Sequence, residues 1–352
     1  MEETVELSIT DIAFGGAGVA RHEGKVCFVP FTAPGDVVRM QLSRNRKNFA
    51  EGIAVEILRK SPDRIVPRCP YFGSCGGCAY QHIAYERQLE IKHRQVEQTI
   101  RRVGRIADVP MRAIVPSPEH YGYRNRIRVH VEAGQAGFYA HRSHELVPVV
   151  RCEIAQPAVN DALTELRRAS VRDGDYTLLA GERGEFFEQT NDAVAAELLA
   201  LVERTVRRDQ ALLVDAYCGA GFFAHRLAPL FAEVIGIEEN EHAVALARRR
   251  AGGNERYIAG DVGEYLSEIL ASHDTGRATV ILDPPATGIA PRALDILSAT
   301  GPSEILYVSC NPATLARDLA ILCARYRLES VTPLDMFPQT AEIEVLAVLR
   351  PA

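Results

Sequence analysis

Residues 305–318 read Ile-Leu-Tyr-Val-Ser-Cys-Asn-Pro-Ala-Thr-Leu-Ala-Arg-Asp, and this stretch decides the fold class. Its apolar beginning is typical of a buried strand, and Asn311-Pro312 is typical of a helix start. Cys310 therefore follows the carboxyl end of a strand, where an open α/β sheet binds its ligands. Because a helix amino terminus favours a thiolate, Cys310 is a candidate nucleophile; the alternative is a packed, unreactive cysteine.

Four further strand patterns lie upstream, from about residue 186 onward. Strands that alternate with helix-length stretches predict a doubly wound α/β sheet. Their carboxyl ends should form one binding edge. The strands are residues 212–215, 234–238, 257–261 and 279–282, and the residues at their ends include Tyr217, Gly219, Gly221, Glu238, Asp261 and Asp283.

The first two of these strand ends favour a nucleotide-like cofactor. A glycine-rich turn lets the backbone approach a ligand, and Glu238 can accept hydrogen bonds from ribose hydroxyls. A dinucleotide fingerprint needs a third glycine where Ala224 stands, so a dehydrogenase is the weaker interpretation. The set instead looks like the S-adenosylmethionine site of class I methyltransferases, which implies that Asp261 lies near the adenine.

The residues that would face the methyl acceptor favour a carbon atom as that acceptor. Asp283-Pro284-Pro285 is followed by Ala286 rather than by an aromatic residue that would stack a base, which counts against an exocyclic amine. C5 of uracil accepts a methyl group only after a nucleophile such as Cys310 adds to C6, and a base must then remove the C5 proton. Glu342 and Glu344 alternate onto one face of a predicted last strand and are the candidates, unless they are surface carboxylates.

The N-terminal region predicts a small RNA-binding barrel. Residues 4–58 contain short alternating strands separated by turns, which is typical of an OB-like barrel. Residues 39–68 carry eight basic and three acidic side chains although the whole chain has a net charge of -6. This local excess favours contact with phosphates; the alternative is a solvated surface.

Three closely spaced cysteines predict a metal site. Cys69, Cys75 and Cys78 are separated by short, glycine-containing spacers, and Cys152 is the best remaining candidate for a fourth ligand. Their spacing does not distinguish zinc from iron–sulfur. The chain begins without a signal-peptide pattern and has no apolar run of membrane-spanning length, so we expect a cytoplasmic protein with reduced cysteines.

The region between the cysteines predicts one long helix and a short sheet. Residues 84–105 have an apolar stripe that contains Val96 and Ile100, with a basic skirt that includes Lys92. In residues 121–150, three arginines alternate with apolar residues and should share one sheet face, which is either an RNA contact or a solvated surface. They are Arg124, Arg126 and Arg128.

Taken together, these motifs resemble the RNA (uracil-5-)-methyltransferase family, in the form with an N-terminal TRAM domain and a [4Fe-4S] cluster, and most resemble its 23S ribosomal RNA branch. The resemblance covers nearly the full length. It implies that Cys69, Cys75, Cys78 and Cys152 hold the cluster, and that Gln189, in the Phe187-Glu-Gln-Thr-Asn191 motif, contacts the cofactor. It further implies that Cys310 is the nucleophile, Glu344 the base and Asp283 a residue that orients the uracil.

Three positions depart from the family's pattern: Glu342 replaces a histidine, Ala286 an arginine and Phe222 a polar residue. The resemblance implies an α/β multidomain protein with a TRAM barrel in residues 1–58, a central α+β iron–sulfur domain in residues 59–185 and a Rossmann-like methyltransferase domain in residues 186–352. The helix at about 85–108 should pack on the last domain. We expect a monomer that makes 5-methyluridine in ribosomal RNA; transfer RNA, or an RNA-binding protein without catalysis, is the alternative.

Overall fold

The structure is a computed structural model that describes residues 4–181 and 189–352. The chain forms two compact units, and each gathers separate stretches of sequence. The first unit contains Met1–Gln95, Ser117–Arg183 and Phe337–Glu342, and the second contains Val96–Pro116, Gly184–Met336 and Ile343–Ala352. Among the described residues, no helix has the length and apolar character needed to cross a membrane.

The first unit begins with six strands: β1 (Thr4–Ser8), β2 (Asp11–Ile12), β3 (Ala17–His22), β4 (Lys25–Pro30), β5 (Val37–Asn45) and β6 (Phe49–Arg59). They form one sheet in the order β1-β5-β6-β4-β3-β2, in which only the β4–β6 pair is parallel. Alternation buries Leu7, Val29, Val38 and Met40 on the inner side. β1, β4, β5 and β6 lie where the alternation predicted strands, whereas β2 and β3 were not predicted. Closure into an OB-like barrel stays a prediction.

Helix α1 (Tyr85–Val103) contributes residues to both units. Its Val96 and Ile100 lie in the core of the second unit, as the apolar stripe predicted for buried positions. Lys92 is different from the prediction, because it is fully buried rather than part of a solvated basic skirt. Its ammonium group donates to the carbonyl of Phe337 at 2.9 Å, which compensates in part for the lost water.

A second sheet in the first unit is built from β7 (Arg126–Glu132), β8 (Gln135–Tyr139), β9 (Leu146–Pro148) and, after helix α2 (Pro157–Arg168), β10 (Gly174–Leu179). The order is β10-β7-β8-β9, and every pair is antiparallel. Ile127 and Val129 pack with Val159 and Leu163 of α2, so one face of the sheet is covered. The opposite face carries Arg128, as predicted from the alternation.

The second unit contains the predicted doubly wound sheet. Its order is β13-β12-β11-β14-β15-β17-β16, with five parallel strands followed by an antiparallel pair. The elements are α3 (Asp192–Thr205), β11 (Leu212–Ala216), α4 (Ala224–Leu227), β12 (Glu233–Glu238), α5 (Glu241–Arg250), β13 (Glu255–Ala259), α6 (Val262–Ser272), β14 (Ala278–Leu282), α7 (Pro291–Thr300), β15 (Glu304–Ser309), α8 (Pro312–Leu322), β16 (Tyr326–Leu334) and β17 (Glu344–Pro351).

The central strands of this sheet are buried on both faces. Every residue of β11, β14 and β15 is buried, which explains their continuous apolar sequences. Helices α6, α7 and α8 contribute to the core on one face. Because the five parallel strands end at one edge, the loops that follow them meet there.

Candidate active site

Three strand ends of the second unit bring the predicted catalytic residues to one edge. β14 and β15 are parallel neighbours, so Asp283 and Cys310, which follow them, leave the sheet on the same side. β17 runs antiparallel to β15, with Ser309 opposite Val345. Continued by one residue, this register sets Cys310 opposite Glu344. Cys310 and Glu344 are thus the next residues beyond the last recorded pair of this ladder.

Cys310 lies directly before the amino terminus of α8. The side-chain oxygen of Asn311 caps this helix by accepting from the amide of Ala313 at 3.0 Å, and Pro312 occupies its first position. The positive end of the helix dipole favours a thiolate at this place. Cys310 is partly exposed although Ser309 before it is buried, so the sulfur can be reached by a substrate.

The two glutamates near the end of the chain have different environments. Glu344 is the first residue of β17 and is only 2% exposed. Glu342 precedes the strand, is exposed and belongs to the first unit. The prediction that both carboxylates share a face of the last strand is therefore wrong, because the strand begins only at Glu344. Of the two, Glu344 has the position expected of a base.

Asp283 is held by Gln189, whose side-chain amide donates to Asp283 Oδ2 at 3.3 Å. Burial raises the pKa of Asp283, and it also raises the pKa of Asp215 on the neighbouring β11. Gln189 therefore lies at the same edge of the sheet as the catalytic candidates. Phe187, which begins the predicted Phe-x-Gln-x-Asn motif, lies outside the described residues.

The turn after β11 adopts left-handed backbone conformations at Tyr217 (φ 67°), Gly219 (φ 53°) and Gly221 (φ 86°). A side chain at Gly221 would lie 2.6 Å from the ring of His225, whereas the space beside Gly219 is open. The turn therefore presents bare backbone that a ligand can approach closely. The hydroxyl of Tyr217 accepts a hydrogen bond from the amide of Ala290 at 3.1 Å, which fixes the aromatic side chain.

Two acids end the next two strands. Glu238 accepts hydrogen bonds from the amides of Gly219 at 3.0 Å and Asn240 at 2.9 Å, which fix its carboxylate beside the glycine turn. This is the relation that recognition of ribose hydroxyls requires. Asp261 caps α6 by accepting from the amide of Glu264 at 2.8 Å. Asp261 thus has a structural role in addition to any contact with an adenine.

Sequence reasoning missed the network that supports the loop after β14. Asp318 is fully buried, and its Oδ2 accepts from the hydroxyl of Tyr307 at 2.8 Å and from the amide of Ile289 at 3.0 Å. Arg317 pairs with Asp318 Oδ1 at 2.7 Å and donates to the carbonyl of Thr287 at 3.0 Å. These bonds join the loop to α8. The signal in the sequence was an acid within the buried stripe of that helix.

Four cysteines of the first unit line one cavity of about 280 Å³: Cys69, Cys75, Cys78 and Cys152. Burial raises the pKa of Cys78 to about 12 and that of Cys152 to about 11, while the amide of Gly77 donates to the sulfur of Cys75 at 3.4 Å. Buried thiols with amide donors are the donor set of thiolate-bound metal centres. Within residues 4–181 and 189–352, no group of three or more His, Cys, Asp and Glu side chains forms a site for a metal ion.

Comparisons with known proteins show the family of this chain. The family model of tRNA (uracil-5-)-methyltransferases matches residues 266–351, which include Asp283, Cys310 and Glu344, and the TRAM domain model matches residues 2–55. An uncharacterised RNA methyltransferase of Bdellovibrio bacteriovorus is 36% identical over 98% of this chain and 95% of that protein. The chain belongs to the RNA (uracil-5-)-methyltransferase family.

Two other matches are informative: one is a relative whose name gives its RNA substrate, and the other is a solved structure. The 23S rRNA (uracil(1939)-C(5))-methyltransferase of Alkalilimnicola ehrlichii is 31% identical, and the match covers 99% of this chain and 97% of that protein. The crystal structure of the Pyrococcus abyssi tRNA (uracil-54, C5)-methyltransferase with S-adenosyl-L-homocysteine gives a TM-score of 0.71 at 25% identity, covering 98% of this chain and 100% of that chain. This RNA (uracil-5-)-methyltransferase therefore has a TRAM domain and a Rossmann-like methyltransferase fold, and uses S-adenosylmethionine.

The three departures from the RNA (uracil-5-)-methyltransferase pattern lie at defined places. The carbonyl of Ala286 accepts from the side chain of Asn311 at 3.1 Å and from the hydroxyl of Thr314 at 3.2 Å, so the backbone ties this loop to α8. Phe222 packs edge to face against the next residue, with ring centroids 4.8 Å apart. Glu342 lines the cysteine cavity. Two of the departures, Phe222 and Ala286, thus lie in loops of the second unit, and Glu342 lies in the first.

Proposed function

We propose that this enzyme methylates C5 of a uridine in RNA through a covalent adduct with Cys310. The proposal is supported by the register of β15 and β17, in which the residues after the Ser309–Val345 pair are Cys310 and Glu344. A nucleophile beside a base suits this reaction, because C5 of uracil is too weak a nucleophile to take the methyl group unaided.

In the proposed reaction, the thiolate of Cys310 adds to C6 of the uracil, and the electrons of the C5–C6 double bond move onto O4 as an enolate. C5 then attacks the methyl carbon of S-adenosylmethionine, and S-adenosylhomocysteine leaves with the electrons of the broken C–S bond. Glu344 removes the C5 proton, the double bond forms again, and Cys310 leaves as a thiolate. Asp283, whose pKa is raised by burial, orients the uracil and in its protonated form donates a hydrogen bond to O4.

The methyl donor would bind along the carboxyl edge of β11 to β14. The bare backbone of the glycine turn accommodates its methionine part, Glu238 binds the ribose, and Asp261 lies near the adenine. S-adenosylmethionine supplies an electrophilic methyl group. The residues proposed to hold it are Gln189, Tyr217, Gly219, Gly221, Glu238, Asp261 and Asp283.

Ribosomal RNA is the preferred substrate in this proposal. It is supported by the 31% identity to the 23S rRNA enzyme over almost the whole of both chains. The end of β5 and the turn after it expose Arg44, Arg46 and Lys47, which suit contacts with RNA phosphates. A uridine in a stem must be flipped out of the helix, which costs a few kcal/mol that contacts with the protein must offset. Transfer RNA is the alternative, in view of the Pyrococcus abyssi enzyme.

Release of tritium from RNA labelled at uracil C5 tests this function. We expect release from unmodified 23S ribosomal RNA that requires S-adenosylmethionine, and none from transfer RNA. Glu344→Gln should trap a methylated protein–RNA adduct that is visible on a denaturing gel, because proton removal precedes loss of the thiolate. Release from transfer RNA alone would reverse the substrate assignment. Absence of release from both RNAs, with RNA still bound, would contradict the proposed reaction.

We also propose that Cys69, Cys75, Cys78 and Cys152 bind a [4Fe-4S] cluster with a structural role. Their shared cavity and the amide donor beside Cys75 suit cluster ligation. The methyl transfer requires no electron, which favours a structural rather than a redox role. Protein purified without oxygen should be brown and contain about four irons per chain. Colourless protein with one zinc ion per chain would contradict the cluster.

A further inference from the structure

The segment Phe337–Glu342 connects β16 to β17 and leads directly to Glu344. It belongs to the first unit, so the residues that hold it differ from those that surround Cys310. At its centre, Gln339 is buried and has a left-handed backbone with φ 71°. Non-glycine residues adopt this conformation at an energetic cost, so the surrounding contacts must maintain it.

A reciprocal pair of amide contacts joins Gln339 to Gln88 of helix α1. The side-chain nitrogen of Gln88 donates to Gln339 Oε1 at 3.0 Å, and the backbone amide of Gln339 donates to Gln88 Oε1 at 3.2 Å. Gln88 is fully buried, and its nitrogen also donates to the carbonyl of Ile83 at 2.8 Å. These bonds fix both the side chain and the backbone of Gln339.

The carbonyl of Gln339 is held from the other side by the cysteine loop. It accepts from the amides of Ala79 at 3.0 Å and Tyr80 at 2.9 Å, which follow Cys78 directly. Two more side chains bind the same segment: Lys92 donates to the carbonyl of Phe337, and the hydroxyl of Tyr123 donates to that of Pro338 at 3.0 Å. The segment is therefore fixed at three successive carbonyls.

We propose that Gln88 is a positioning residue for the catalytic base, acting through Gln339 on the segment that leads to Glu344. The proposal rests on the proposed role of Glu344 and deepens it. Only Ile343 separates this segment from β17, so an error in the placement of the segment moves the carboxylate of Glu344 relative to the C5 proton. Removal of that proton, rather than addition of Cys310, is the step that depends on Gln88.

Single-turnover reactions with RNA labelled with tritium at uracil C5 separate the two steps, because the adduct on a denaturing gel reports addition and tritium release reports proton removal. In Gln88→Leu, we expect the adduct to form at the normal rate and tritium release to slow about tenfold or more, so that the methylated adduct accumulates. Gln95→Leu is the matched control, since Gln95 is also buried on α1 but bonds to Ile12 and Tyr80 instead of the segment. It should leave the ratio of the two rates unchanged.

An equal slowing of both steps in Gln88→Leu, or an unchanged ratio, would overturn the proposal. If that variant does not fold, Gln339→Gly removes the same side-chain contact from the other partner while tolerating the left-handed backbone, and it should also accumulate adduct. A normal rate ratio in Gln339→Gly would equally overturn the proposal. Glu344→Gln, measured in parallel, distinguishes the two hypotheses: if it traps no adduct, the assignment of the base fails independently of Gln88.

Discussion

Cys310 and the four cavity cysteines are the same side chain in two environments. Cys310 follows a strand, lies at the amino terminus of α8 and is partly exposed, so its surroundings favour the anion and admit a substrate. Cys78 and Cys152 line a cavity, and burial raises the pKa of both thiols. On this difference rests the proposal that Cys310 is a nucleophile and that the cavity cysteines are ligands.

The largest effect should come from Cys310→Ala. Loss of the nucleophile should lower turnover by about 10⁴-fold or more while leaving RNA binding and the melting temperature unchanged. Tritium release measures turnover, filter binding measures RNA binding, and thermal unfolding measures the melting temperature. Cys323→Ala is the matched control, because Cys323 is partly buried at the end of the same helix, and it should change turnover less than about twofold. If Cys310→Ala keeps turnover within tenfold of normal, Cys310 is not the nucleophile, and the contrast with the cavity cysteines fails.

The second largest effect should come from a substitution in the cysteine cavity. Cys78→Ser should abolish iron binding and lower the free energy of unfolding by more than about 4 kcal/mol, because loss of a bound metal centre is among the most destabilising changes. Iron analysis and urea unfolding of protein purified without oxygen provide the measurement. Cys27→Ala, in the core of the same unit and outside the cavity, should keep its iron. Normal iron content in Cys78→Ser would remove this cysteine from the ligand set.

The strand ends and the cysteine spacings were predictable because they depend on local sequence. Cys310 and Asp283 follow apolar runs whose length and β-branched content already indicated buried strands, and the structure confirms those strands. Gly219 and Gly221 lie in a turn whose positive φ values glycine accommodates without strain. In each case a few neighbouring residues contain the physical cause.

The remaining features depend on contacts between distant parts of the chain. Gln88 and Gln339 are 251 positions apart, and nothing in either local pattern indicates the other. Lys92 was assigned to the basic face of the helix, because a helix pattern cannot show that a carbonyl of Phe337 lies beside it. The wrong placement of Glu342 has the same origin, since its segment belongs to a different unit from the strand that follows it.

An intermediate effect tests the support of the Cys310 helix. In Asp318→Asn, one side-chain oxygen is replaced by an amide donor, so the bonds from Tyr307, Ile289 and Arg317 cannot all be kept. We expect a loss of about 1–3 kcal/mol in the free energy of unfolding, measured in urea. Asp295→Asn, on the exposed side of α7, should change it by less than about 0.5 kcal/mol. Equal effects of the two substitutions would show that the buried network contributes no stability.

The smallest expected effect tests whether burial raises the pKa of a carboxylate as it does for the cavity thiols. Burial raises the pKa of Asp215 from its usual value of about 4 to about 8. Between these two pKa values the folded protein binds more protons than the unfolded chain. Stability must then fall as the pH rises through this range. Asp215→Asn cannot ionise and keeps an oxygen that can accept from the amide of Ala224. Relative to the unsubstituted protein without cofactor, it should gain on the order of 1 kcal/mol between pH 5 and pH 8 in urea unfolding. Asp295→Asn is the control and should show no such change. If Asp215→Asn instead loses stability relative to the unsubstituted protein at the higher pH, the ionised form of Asp215 is stabilised at this edge of the sheet.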